Sequence, residues 1–123
     1  HCPYLPLLQP TMTDSAITES AMTESEGVYV GVCLLVFEMP WVRSLKEKRA
    51  LVRPVTEKLK TRFPVSVARL DGLNAHGWER VGMSAISSDP QWLEMTLNKA
   101  SAFVSSMSEC RVYEESLEIE RWT

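Results

Sequence analysis

A chain of 123 residues makes one domain by length, and 45% hydrophobic against 24% charged residues is the balance of an ordinary globular protein. The longest apolar run, Val28 to Phe37, is strand-sized and far short of the ~20 residues that a membrane span needs. Three cysteines, Cys2, Cys33 and Cys110, are an odd number without regular spacing, which argues against a disulfide framework and fits thiols buried in a protein of the reducing cytoplasm.

The opening HCPYLPLLQP is apolar but has neither the basic start nor the small-residue cleavage site of a secretion signal. It reads as an extension, with Met12 and Met22 as candidate true starts. Residues 11–27 are rich in Thr, Ser and Glu and lack aromatics, so they bury too little apolar surface to offset the entropy of ordering. The expectation is a disordered extension over 1–27 and one folded domain over 28–123.

Val28 to Phe37 (VYVGVCLLVF) has apolar residues on both alternating sets, the pattern of a central strand, and Pro40 ends it. Ser44-Leu45-Lys46-Glu47 reads as a capping box, with the Ser44 hydroxyl accepting from the Glu47 amide and the Glu47 carboxylate reaching back to the Ser44 amide. Leu45, Val52, Val55 and Leu59 follow at helical spacing and predict a buried stripe on a helix that stops near Phe63-Pro64. Pro54 removes one amide donor inside it and predicts a kink.

Val65 to Leu70 reads as a second strand, Asp71 to Trp78 as a loop, and Glu79 to Ser87 as a third strand. Asp89-Pro90 is a helix start with Asp at the cap and Pro at the first helical position. Leu93, Leu97, Ala100, Val104 and Met107 then line one helix face. Arg111 to Arg121 is the last strand, with Tyr113, Leu117 and Ile119 expected on one side. The order β-α-β-β-α-β predicts an α+β fold of the ferredoxin-like kind: a four-stranded antiparallel sheet, both helices on one face, strands one and three in the middle.

The net charge of −3 hides a segregation. The extension takes four of the sixteen acids and none of the thirteen bases. Residues 43–62 hold eight Lys and Arg against Glu47 and Glu57, and the last strand gathers Glu114, Glu115, Glu118 and Glu120. Lys46, Arg49, Arg53 and Lys60 share one helix face away from the apolar stripe, and with Lys48 they are the candidate phosphate-binding residues. The same charges also read as a solvated helix face that aids solubility. The third strand has no aromatic for stacking bases, and the fourth would repel phosphates, so an RNA contact is expected on the first helix and not on the sheet.

No phosphate-binding Gly-rich loop, CxxC pair or G-x-S-x-G elbow is present, so no cofactor, metal or catalytic residue is assigned and the chain is expected to be non-catalytic. His76 stands near Asp71 and Glu79; it reads as a solvated loop histidine, with a general base or metal ligand as the alternative. Trp78 reads as an aromatic anchor that closes the loop on the core, or, with Arg80, as a partner contact. Trp41 and Trp92 sit near element ends as candidate caps on the core.

The run Ser44-Leu45-Lys46-Glu47-Lys48-Arg49 resembles the signature of the YlxP-like family, a bacterial family of unknown function. Arg62 to Ala68 is similar to that family's RF-x-VSVAE-type segment, Trp78-Glu79-Arg80 to its W-Q-R turn, and Ser87-Ser88-Asp89 to the start of its second helix. The resemblance covers about residues 28–122. It departs at Arg69, where an acidic or small residue is common, and in the loop Asp71 to Gly77, which is longer than the family's turn. It implies a ferredoxin-like fold and, through gene neighbours encoding ribosome-binding factor A and translation initiation factor two, a link to RNA or ribosome-associated proteins. The leading expectation is a non-catalytic RNA- or ribosome-associated accessory factor. The alternative is a homo-oligomeric protein-interaction module that uses the open sheet face.

Overall fold

The computed structural model describes residues 27–123, so the expectation for 1–26 lies outside the described residues. The elements follow in the order β1 (Tyr29–Glu38), α1 (Leu45–Arg62), β2 (Ser66–Asp71), β3 (Trp78–Ser87), α2 (Pro90–Met107) and β4 (Arg111–Arg121). The four strands form one sheet in the order β2-β3-β1-β4, and every neighbouring pair is antiparallel. This is the ferredoxin-like α+β sandwich that the pattern predicts, with β1 and β3 inside.

The core lies between the helices and one face of the sheet. Cys33, Leu35 and Phe37 of β1 and Val81 and Met83 of β3 meet Val52, Val55 and Leu59 of α1 and Leu97, Ala100 and Val104 of α2. The period of two on the strands and the 3.6-residue period on the helices place these side chains on facing surfaces. At the end of β1 the core is closed by Met39 and Val42, both buried, while Trp41 is 53% exposed and caps nothing. Gly31 is required where α2 comes closest: a Cβ there would stand 2.6 Å from Leu97 Cδ1.

Both helix starts use the side chains the sequence offers. Asp89 accepts from the amides of Gln91 (3.0 Å) and Trp92 (3.2 Å), which would otherwise have no intrahelical partner. Ser44 Oγ accepts from the Glu47 amide at 3.0 Å. The reciprocal half of the box is displaced by one residue, since the Glu47 carboxylate accepts from the Arg43 amide at 2.9 Å and not from Ser44. The helix continues through Pro54, which faces solvent, to Arg62.

One expected face is corrected. The register of β4 on β1 slips between Leu34 and Leu35: Leu34 faces Ser116 and Leu35 faces Glu114, leaving Glu115 as the extra residue of a β-bulge. A bulge inverts the alternation beyond it. Leu117 and Ile119 therefore stand on the helix side, opposite Cys33 and Gly31, whereas Tyr113 stands opposite Val36 on the open side and is 41% exposed. A second slip, between Arg69 and Asp71, makes Leu70 the extra residue of β2.

Candidate functional site

The cations of α1 separate into two sets. Lys46, Arg49, Arg53 and Lys60 are exposed and lie within one arc of the helix. At 1.5 Å per residue they extend over about 21 Å of helix length. Lys60 stands 3.5 Å from Glu57, both well exposed, a pair that water and salt weaken strongly. Among the described residues Lys46, Arg49 and Arg53 have no ion-pair partner. Their ridge runs beside a shallow cleft of about 280 Å³ against the edge strand, lined by Arg53, Thr56, Glu57, Lys60, Val67 and Arg69.

Lys48 does not belong to the ridge, and its assignment as a phosphate contact is corrected. It is completely buried. Its ammonium donates to the carbonyls of Gly72 (2.7 Å), Ala75 (2.6 Å), Trp78 (3.3 Å) and Leu73 (3.4 Å), and pairs with Glu79 Oε1 at 3.1 Å. Glu79, also buried, is held on its other side by the Arg69 guanidinium, through Nε and, at 2.8 Å, through Nη2. Burial by itself would raise the Glu79 pKa; the hydrogen bonds and charges of Arg69 and Lys48 outweigh it and hold the carboxyl below its ordinary range. An isolated buried charge is prohibitive, but here one anion faces two cations and the ammonium is solvated by carbonyls. What Lys48 does is fasten the loop between β2 and β3 to the first turns of α1.

The signal for this was in the spacing. Lys48 precedes Val52 by four residues, Val55 by seven and Leu59 by eleven, which is the phase of the buried stripe. Glu79 precedes Val81 and Met83 by two and four, which is the inward phase of β3. One basic and one acidic residue on inward phases of neighbouring elements predict a buried pair. Arg69, the departure noted in β2, supplies the third member.

The same loop carries His76, which is exposed. The acids near it in sequence are engaged elsewhere: Glu79 as above, and Asp71 with Arg80 at 3.0 Å. Gly72 has φ of +73° and its α-carbon sits against the Trp78 ring, where a Cβ would approach to 3.0 Å. Trp78 is 37% exposed, and the Arg80 guanidinium lies 6.0 Å from its ring centre. Arg80 also reaches across β1 to the bulge, with Nε 2.8 Å and Nη2 3.2 Å from the Glu115 carboxylate. It thereby covers Val36, its register partner, which is 6% exposed although it faces away from the helices. The structure does bring Trp78 and Arg80 together, at one end of the open sheet face.

Cys33 and Cys110 are free and buried. Burial, with the Glu114 carboxylate beside it, pushes the Cys33 thiol up to about 12. Among the described residues no group of His, Cys, Asp and Glu is arranged to hold a metal ion. No helix among them is long and apolar enough to cross a membrane.

Fold and surface together define a small α+β sandwich domain with a cationic helix face and a loop locked by the buried Lys48–Glu79 pair and the half-buried Arg69. The chain belongs to the DUF503 family, whose model, described as a protein of unknown function, matches residues 30–117. A comparison with curated proteins finds no match.

Proposed function

We propose that the protein is a non-catalytic accessory factor of the cytoplasm that grips the phosphate backbone of RNA, free or in the ribosome, along the α1 ridge. The carrying observation is that Lys46, Arg49 and Arg53 stand exposed in a row with no carboxylate partner among the described residues. Cations already neutralised would have little to exchange with a phosphate; these release counterions when one binds. Segregation adds to the argument, since the glutamates of β4 lie on the opposite edge of the sheet from β2, beside which the ridge runs. The YlxP-like resemblance, compatible with the family found here, points to the same partners, and two free buried thiols fit a reducing compartment.

The test is binding of a single-stranded RNA oligonucleotide as a function of salt. Four phosphate contacts on a single strand give a slope of about −3 in log K against log salt, or roughly a 50-fold loss of affinity for a fourfold rise in salt. The triple variant Lys46→Glu, Arg49→Glu, Arg53→Glu is expected to flatten that slope by about 2 and to weaken binding sharply at low salt. A variant that binds as the wild type does, with the same salt dependence, removes the proposal.

A further inference from the structure

The face of the sheet away from the helices is largely apolar over β2, β3 and β1, and no described element packs on it. Ile86 is 67% exposed, Leu70 49% and Val32 40%, and Val30 and Leu34 stand on the same side of β1. Between them the positions are small: Ala68 of β2 faces Gly82 of β3, and Ser66 faces Ser84. Leu70 lies across Gly82, with Cδ1 2.7 Å from where a Cβ would stand. The result is a flat strip over β2, β3 and β1. Charge is confined to its margins: Glu118 and Glu120 on β4, opposite Val32 and Val30, and the Asp71–Arg80–Glu115 cluster at one end.

We propose that this face is the interface of a homodimer, two copies stacked sheet against sheet. A flat strip without central charges is complementary to itself, which is what a two-fold interface requires. The placement of the acids selects the stacking. A two-fold axis along the strands, between β1 and β3, lays each acidic β4 over the β2 of its partner, whose outward Ser66, Ala68 and Leu70 carry no charge. It keeps the two β4 strands on opposite sides of the assembly, so that their carboxylates do not face one another. Trp78 and Arg80 then belong to the rim.

The area is sufficient. Four strands at ~4.8 Å spacing and about nine residues at ~3.3 Å give roughly 600 Å² for each copy, or about 1,200 Å² in total, at the lower end of stable interfaces. Both α1 ridges remain on the outside, so the dimer stands or falls independently of the RNA reading.

Sedimentation of the full chain at about 1 μM and about 100 μM spans the dissociation constant expected of such an interface. The wild type is expected to shift toward dimer at the higher concentration. Val32→Glu and Ile86→Glu, at positions that water already reaches in one copy, are expected to sediment as monomers with unchanged circular dichroism. The milder Ile86→Ser, expected to weaken the dimer without abolishing it, guards against misfolding. A wild type that stays monomeric at both concentrations overturns the proposal, even if its open face takes up some other molecule. So does a dimer that all three variants leave intact.

Discussion

Replacing Lys48 with methionine keeps most of the side chain's volume and removes its charge. The variant leaves Glu79 with Arg69 as its one remaining cation and strips the carbonyls of Gly72 and Ala75 of their donor. Removing one member of a buried pair costs about 3–5 kcal/mol; with Arg69 still on Glu79 the loss is expected at the lower end, about 3 kcal/mol, set by the carboxylate's lost second cation and the carbonyls' lost donor. A domain of this size has about 5–15 kcal/mol of stability in all, so such a loss consumes much of it. At about 4–8 °C per kcal/mol, a loss of about 3 kcal/mol lowers the melting temperature by roughly 12–24 °C. Thermal and urea unfolding of Lys48→Met beside Lys46→Met and Arg49→Met measures this, the two surface variants staying within about 0.5 kcal/mol of wild type. The pH dependence gives an independent reading. Glu79 titrates below its unfolded value, so its contribution is complete above the ordinary carboxylate pKa near 4.3 and disappears as pH falls through the lower folded value. Glu79→Gln is expected to be less stable than wild type at neutral pH and to lose less on acidification. A Lys48→Met protein within 1 kcal/mol of wild type would refute the assignment of Lys48 as the fastening of the loop.

Two further outcomes are expected. Gly31→Ala places a methyl against buried Leu97 and is expected to cost about 1–3 kcal/mol in urea unfolding, whereas Gly77→Ala, whose nearest neighbour would be Pro40 Cα at 3.6 Å, is expected to be nearly neutral; equal effects would contradict the packing of α2 on β1. Cys33, with its thiol pushed up to about 12, is expected to resist alkylation at neutral pH until the protein unfolds, and prompt native-state labelling would show that the site is open.

Periodicity and end signals were enough for the element order, the helix caps and the central place of β1, because each depends on residues within a turn or two of one another. Asp89 and Ser44 stand at the cap positions expected of them, and Ser44 accepts from the Glu47 amide that the spacing names. The inward phases of Val52, Val55, Val81 and Met83 were equally legible, since a residue's face follows from its neighbours along one element. The exposed ridge of Lys46, Arg49, Arg53 and Lys60 is likewise a property of a single helix.

What one element cannot specify is the count of residues opposite it or the charge its neighbour presents. The bulge at Glu115 depends on pairing with β1, and it moves Tyr113 to the open face without changing the local sequence pattern. The fate of Lys48 was decided in the same way. Grouped with the other bases of its helix it is one more surface charge; its burial becomes possible only when the chain returns, twenty-four to thirty-one residues later, with four carbonyls and a carboxylate to replace water. Local sequence determines which way a side chain points, and tertiary structure decides what it meets there, because the energy of a buried charge resides in its partners.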